Sequence, residues 1–524
     1  MGHSDVSGFH PVHPYGVMWP GLPTVTSLTQ EEHVSATSAV STPQRGFFGH
    51  PRGLSTLFFT ELWERFSYYG MKAILAYYLY RSTAEGGLGL DQSFALSLVA
   101  IYGASVYMSG VAGGWLADRV LGGRRAVFYG GVLIMFGHIA LALPIGLAGV
   151  YTGLILIVLG TGLLKPNIST VVGGLYDRQD PRRDSGFTIF YMGINLGGFL
   201  APLVCGFLGE TYDWHLGFGA AAVGMALGLV VYRLGQRGLG DSASAPPFPL
   251  PVEERGRVIG RIVGVALGSV AVVALLVVLG VLGAEGVINL ISLLSVLLPI
   301  GYFTVMIRSP RTTPVERSRV IAYIPLFIAA AMFWLLFEQS ATVIAAFADT
   351  RVDNSFLGWV FPPSFIQSIN PVMIIAVAPL FALLWVKLAK RQPSTPRKFA
   401  YSLLLVGLSF LLMMIAGQGD PSVRVSFLWL VLMYLVMTCG ELLLSPVGLS
   451  VTTKLAPRAF ASQTMGLWFL ATAAGSGVGA IVVRFYSDEN AVAYFGVLGA
   501  LAIGLGVALV VATKSIHRLM RGVD

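Results

Sequence analysis

Four ionisable residues at helical spacing lie inside one apolar run. In Glu61-Leu-Trp-Glu-Arg-Phe-Ser-Tyr-Tyr-Gly70, with Lys72 just beyond it, the offsets place Glu61, Glu64, Arg65 and Lys72 on one helix face. The run extends from about Leu54 to Tyr80, long enough to cross a bilayer. A charge at the centre of a lone membrane helix costs roughly 2.5–3.5 kcal/mol, so four against lipid would cost about 10 kcal/mol or more. Snorkelling from one helix end cannot rescue residues spread over about three turns. These groups must therefore face a protein interior or a watery cavity, among partners. Carboxylates held there can carry protons, and cations there can hold an anionic ligand. Tyr68 and Tyr69 fall one turn above Glu64 and Arg65.

Few other ionisable groups lie far from the ends of apolar runs. Lys165 sits in Gly160-Thr-Gly-Leu-Leu-Lys-Pro-Asn-Ile-Ser, and a buried ammonium needs an anion, for which Glu61 and Glu64 are the nearest type of partner. Glu338 sits in Phe333-Trp-Leu-Leu-Phe-Glu-Gln339, with Trp334 one turn below it. A carboxylate in a dry aromatic setting beside a cation can load and release a proton. Glu441 precedes Ser445-Pro446, which is expected to break the helix one turn later, and an acid beside a break can receive an amine. Asn195 and Asn370 are amides that either bind a ligand's terminus or join helices. Tyr107 and Trp468 are aromatic residues that more commonly pack. His138 reads as a satisfied packing histidine. Acids Glu61, Glu64, Glu338 and Glu441 thus stand against bases Arg65, Lys72 and Lys165, an inventory suited to a zwitterion.

The elements that must position them are membrane helices. The 524 residues are 55% hydrophobic and only 11% charged, against about 25% charged in soluble domains. The net charge of +8 does not indicate nucleic acid, because the basic residues lie in short loops. Cys205 and Cys439 lie in apolar runs, so neither a disulfide framework nor a metal cluster is implied. Residues 1–50 read as a solvated, disordered cytoplasmic tail in which His3, His10, His13 and His33 are too loosely spaced for metal; no cleavable signal peptide is expected. Spans are expected at about 54–80, 93–118, 125–145, 149–175, 186–208, 214–234, 258–283, 287–308, 319–347, 362–390, 399–417, 424–454, 460–484 and 491–514, about fourteen helices. Arginines and lysines cluster in every second loop, including Arg119, Arg124 and Arg125, Arg178, Arg182 and Arg183, and Lys387, Lys390 and Arg391. Acids such as Glu85, Glu210 and Asp349 fill the others. Both termini are then expected in the cytoplasm. A polar linker at 235–257 divides the chain, and the two helices at 258–308 read as a lipid-facing pair. The expected order is a six-helix bundle at 51–234, the extra hairpin, a second bundle at 309–517, and a cytoplasmic end at 518–524.

These motifs resemble the proton-dependent oligopeptide transporter family, a branch of the major facilitator superfamily, and the extra helix pair resembles that family's bacterial branch. The resemblance rests on Glu61-x-x-Glu64-Arg65-Phe66-x-Tyr68-Tyr69-Gly70, Gly162-Leu-Leu-Lys165-Pro-Asn, Phe190-Tyr191-x-x-x-Asn195, Phe333-Trp334-x-x-Phe337-Glu338-Gln339 and Gly440-Glu441-x-x-x-Ser445-Pro446. Gly113-Gly-Trp-Leu-Ala-Asp118-Arg119-x-x-Gly122-x-Arg124-Arg125 resembles the superfamily's gating loop. The resemblance implies an all-α major facilitator fold of two six-helix bundles plus an inserted hairpin, rocking about a central site. It implies that Lys72 and Glu338 form an outer ion pair broken by protonation, and that Glu61, Glu64 and Arg65 exchange partners with Lys165. It places the peptide carboxylate near Lys72 and Lys165, and its amine near Asn195, Asn370 and Glu441, beside Ser445. Tyr68, Tyr69, Tyr107, Trp334 and Trp468 would surround its side chains.

The expected function is proton-coupled import of di- and tripeptides across a bacterial inner membrane, with protons the coupling ion, no cofactor or metal, no nucleic-acid partner, membrane lipids around it, and a working monomer. The same fold carrying nitrate, a drug or a modified amino acid is the nearest rival. A membrane-embedded hydrolase is disfavoured, since neither Gly-x-Ser-x-Gly nor His-Glu-x-x-His occurs. A transport-free peptide receptor lacks an evident signalling domain.

Overall fold

A computed structural model of the chain describes residues 46–523, apart from 178 and 242. The tail histidines and Arg178 lie outside the described residues. In chain order the α-helices are α1 (Gly53–Tyr80), α2 (Gln92–Leu116), α3 (Gly123–Ala142), α4 (Leu147–Gly173), α5 (Arg183–Ala201), α6 (Phe207–Thr211), α7 (Trp214–Gly235), α8 (Val252–Val278), α9 (Ala284–Arg308), α10 (Pro314–Phe337), α11 (Val343–Thr350), α12 (Ile369–Leu388), α13 (Thr395–Ala416), α14 (Leu428–Leu455), α15 (Ala461–Val482) and α16 (Ala491–Leu519). The short α6 prolongs α5 through the π-turn Pro202–Gly206, and α11 prolongs α10 through the 3₁₀ turn Glu338–Ala341. Joined this way they make fourteen spans among the described residues. Thirteen are long and apolar enough to cross a membrane; the other is α1, set apart by its buried charges rather than its length.

The same packing scheme occurs twice, as in a fold built from parallel repeats. In the first half α3 packs on α4 and α7, α2 on α4, and α1 on α7. In the second half α13 packs on α14 and α16, α12 on α14, and α10 on α16. The halves meet through α2 against α15 and α5 against α12, two seams that a pseudo-two-fold axis would exchange. This is the major facilitator architecture of two six-helix bundles with an inserted pair, α8 and α9. The pair is not uniformly lipid-facing as expected. None of the described α8 residues is buried. By contrast α9 buries Ile288, Ser292, Ser295, Pro299, Phe303 and Met306, packing on α2, α10 and α15.

Two further expectations are corrected. Ser445-Pro446 does not break its helix, because α14 runs unbroken from Leu428 to Leu455; membrane helices tolerate proline where neighbours re-satisfy the freed backbone. The interruption falls instead at Glu338–Thr342, without a proline, where Thr342 leaves helical geometry (φ −125°, ψ −98°). The chain is also not purely helical. Val352–Asp353 (β1) pairs with Val425–Ser426 (β4), and Ser355–Phe356 (β2) with Trp359–Val360 (β3). The β2–β3 turn is made by Leu357 and Gly358, both with positive φ, a combination that suits two-residue hairpins. These strands lie at the end of the array holding the α1–α2 turn, called distal here. The proximal end holds the α2–α3 loop and the linker before α8. There Arg124 donates to the Gly240 and Gln236 carbonyls at 2.6 and 3.2 Å. The Asp118 and Arg119 carbonyls accept from Phe248 and Leu250 at 3.1 Å, and Arg125 is exposed.

Glycines set how closely the helices approach. A Cβ at Gly160 of α4 would press on the Gly130 carbonyl of α3, and one at Gly130 on the Gly160 carbonyl. Without a hydrophobic drive between helices in lipid, such close packing supplies the association. Gly264 of α8 instead has nothing within 4 Å of a built Cβ. Gly160→Leu is therefore expected to destabilise the protein by about 1–3 kcal/mol through overpacking. It would be read as a lowered unfolding temperature in detergent, with Gly264→Leu leaving that temperature unchanged.

Candidate functional site

Helix α1 solves its charge problem internally. The Arg65 guanidinium grips Glu64 with Nε at 2.5 Å and Nη2 at 2.8 Å, and its Nε also reaches Glu61 Oε1 at 3.1 Å. All three side chains are buried. A planar fork against a carboxylate is among the strongest pairings available in a low-dielectric interior. Two acids share one base, and Glu61 Oε2 is buried without a hydrogen-bond partner among the described residues. That oxygen is where the cluster can accept a proton or a second donor.

Lys165 of α4 is not the partner expected of it. Its ammonium lies 4.1 Å from the centre of the Tyr107 ring, a cation–π contact. Its charge acts on Glu61 and Glu64, yet the ion pairs of these acids are with Arg65. The bidentate guanidinium outcompetes a point charge on a flexible stem. Lys165 thus remains half-buried and available to a ligand.

The two halves are tied by Lys72 of α1 and Glu338, whose Nζ–Oε2 separation is 2.6 Å. Glu338 sits at the break after α10, so the pair joins the first helix of one bundle to the discontinuity of the other. Distal to it is a second layer that sequence reading missed. Arg81 pairs with Asp349 at 2.6 Å and Glu210 at 3.5 Å, while the Tyr80 hydroxyl donates to Asp349 at 2.6 Å. Glu210 also accepts from the Ser364 amide at 3.2 Å, and Tyr77 donates to the Ala345 carbonyl at 3.1 Å. The sequence suggests only loop acids at Glu210 and Asp349. The available signal was Arg81, a base ending an apolar run on the side where the other short loops are acidic.

In the second half Asn370 of α12 donates to Glu441 of α14 at 3.1 Å and to Thr438 at 3.0 Å. Asn195 of α5 donates to its own helix, at the Tyr191 carbonyl, 3.0 Å away. Tyr191 nevertheless lies within electrostatic reach of Glu441, and Tyr69 within reach of Arg65, Lys72, Glu338 and Glu441. A Cβ at Gly198 would touch both the Tyr69 ring and Pro371, so α1, α5 and α12 converge there. Trp334 Nε1 and Ser445 Oγ are buried without hydrogen-bond partners among the described residues. Tyr68 lies between two cations, its ring centre 5.2 Å from Arg65 and 5.9 Å from Lys72. Trp468 of α15 packs over Gly448 and edge-on to Phe399.

The structure thus brings Glu61, Glu64, Arg65, Tyr68, Tyr69, Lys72 and Glu338 together, with Lys165 over Tyr107 beside them and the Asn370–Glu441 pair facing Tyr69. The loop residues Asp118, Arg119, Arg124 and Arg125 lie at the proximal end, engaged with the linker or exposed. His138 of α3 is fully buried, but both ring nitrogens lack partners among the described residues, so it is not the satisfied histidine expected. The arrangement offers cations on the first half and an acid–amide pair on the second, which are opposite poles for a zwitterion.

A family model described as the POT family matches residues 124–500. A Bacillus subtilis (strain 168) protein named Uncharacterized transporter YclF is 53% identical over 484 residues, covering 92% of this chain and 98% of its own. A Di-/tripeptide transporter of Lactococcus lactis subsp. cremoris is 44% identical over 486 residues, covering 91% and 98%. Among solved structures, peptide transporter POT in complex with sulfate superposes with a TM-score of 0.89 at 55% identity, covering 92% of this chain and 98% of that one. A paired fold, motifs gathered about one space and relatives matched over nearly their whole length agree, and the chain belongs to the POT family of membrane-spanning transporters.

Proposed function

We propose that the protein imports di- and tripeptides together with protons by alternating access. The observation that carries this reading is the 2.6 Å Lys72–Glu338 pair, which joins the two bundles beside a balanced set of buried acids and bases. An ion pair between moving bodies holds only while its acid is charged. Protonation of Glu338 would remove the attraction, free Lys72, and let the distal layer of Arg81, Asp349 and Glu210 part. The freed lysine, with Lys165, then attracts a peptide carboxylate. The amine is received by Glu441, Asn370 and Asn195, with Ser445 beside them, and the side chains by Tyr68, Tyr69, Tyr107, Trp334 and Trp468. A peptide carboxylate at Lys165 draws that lysine's charge away from Glu61 and Glu64, and the exchange of partners among Glu61, Glu64, Arg65 and Lys165 couples the proton to the load. The distal end is the outside in this reading, with both termini in the cytoplasm of a bacterial plasma membrane. Residues 51–234 and 309–517 act as the rocking bundles, 235–257 as the cytoplasmic linker and 258–308 as the extra hairpin. Asp118, Arg119, Arg124 and Arg125 gate the proximal side. The unit is a lipid-embedded monomer using protons and no cofactor. An inside-negative potential contributes about 2.3 kcal/mol per proton at 100 mV.

Labelled dialanine is expected to accumulate in proteoliposomes when an inward pH gradient is imposed, and uptake that ignores every gradient would overturn symport. Excess dialanine competing poorly against nitrate or a drug would instead favour a different cargo. Glu338→Gln is expected to lower gradient-driven uptake by about tenfold or more, since a neutral amide cannot carry the proton. Counterflow, which needs no net proton movement, should be partly retained. Loss of neither activity removes Glu338 from the coupling role.

A further inference from the structure

Tyr102 of α2 belongs to none of the roles given so far. It is 3% exposed, and its ring centre lies 6.2 Å from that of Tyr68, the planes inclined by 30°. Tyr68 is the residue held between Arg65 and Lys72, and hence between the α1 acid cluster and the ion pair joining the bundles. Both hydroxyls are buried without hydrogen-bond partners among the described residues. The charges of Glu64, Arg65 and Glu338 all act on Tyr102. The neighbouring Gly103 brings α2 against the same space, since a Cβ there would stand 3.7 Å from Glu338 Oε2 and 3.6 Å from Ser476 Oγ. A phenylalanine would fill the Tyr102 ring position without leaving a polar atom in a dry place. Keeping an unpaired hydroxyl there costs stability, and buried polar atoms of this kind are where internal water is held.

We propose that Tyr102, acting with Tyr68, relays the proton between Glu338 and the Glu61–Glu64 pair. The protonated Glu338 carboxyl gives its proton to the first acceptor oxygen of the chain, a hydroxyl or an internal water. Each member then passes its own proton on as it receives one, and the last delivers to the Glu61–Glu64 carboxylates. Every hydroxyl ends neutral, Glu338 ends as a carboxylate able to re-form its pair with Lys72, and the α1 cluster ends with one added proton. Tyr102 is a positioning and relay residue, so its removal separates proton movement from peptide movement.

This inference rests on the symport reading, and the wild-type protein tests that first: absence of gradient-driven dialanine uptake by wild type would defeat the reading, not the relay. With wild type active, Tyr102→Phe is expected to lower the ratio of gradient-driven uptake to dialanine counterflow by about fivefold or more, within the range that positioned proton transfers contribute. A ratio that stays closer to wild type than that, whether both rates persist or both fall together, overturns the relay. Should the phenylalanine variant fail to assemble, 3,5-difluorotyrosine introduced at position 102 keeps the ring and the hydroxyl while altering its acidity. A changed ratio is then expected, and an unchanged ratio overturns the proposal equally.

Discussion

A charge taken from water into a membrane interior must find a counter-charge, and the whole arrangement follows from where those counter-charges lie. Helix α1 carries four ionisable side chains through its core. Three of them, Glu61, Glu64 and Arg65, close on one another within the helix, so that cluster travels as a unit. The fourth, Lys72, has no acid on its own helix within reach and is neutralised by Glu338 on the other bundle. One buried charge is therefore paired locally and the other across a joint. The second pair ties the position of one bundle relative to the other to a single buried contact.

The same logic explains why Glu338 sits where the helix stops being regular. A 3₁₀ turn separates α10 from α11, and mid-helix turns of this kind often mark hinges or strained sequence. Beyond the turn, Asp349 holds Arg81, and Glu210 reaches the Ser364 amide. These contacts bridge the distal end in layers, with the Lys72–Glu338 pair innermost. Close packing at Gly130 and Gly160 makes the α3–α4 unit stiff. Alternating access in transporters built from repeats is largely rigid-body rocking of one bundle against the other.

Charge placement also limits what the site can hold. Lys165 rests on an aromatic face rather than on an acid, a pairing weaker than an ion pair in the same surroundings and readily given up to a carboxylate. Glu441 is engaged by a neutral amide rather than by a cation. A ligand with an ammonium at one end and a carboxylate at the other completes both sets without leaving a bare charge behind.

Much of this was legible in the sequence because hydrophobic runs and charges in lipid leave little freedom. The spans, the pairing of bundles and the inserted helices follow from run length, and the expense of burying Glu61, Arg65, Lys165, Glu338 and Glu441 singles those residues out as candidates. Which charge meets which is a different matter. Residue type alone pairs Lys165 with the α1 acids, yet it lies on Tyr107, because one-dimensional spacing cannot reveal that Arg65 already engages both carboxylates. Glu210 and Asp349 read in the sequence as loop acids, since nothing local shows that Arg81 meets both of them. The break at Glu338 and the continuity through Pro446 were likewise decided by neighbours, as tertiary packing outweighs local helix propensity in a bundle. By itself the chain determined which groups could not face lipid. Only the meeting of two bundles decided their partners, because pairing energy depends on distance in space and the decisive contacts join residues far apart in sequence.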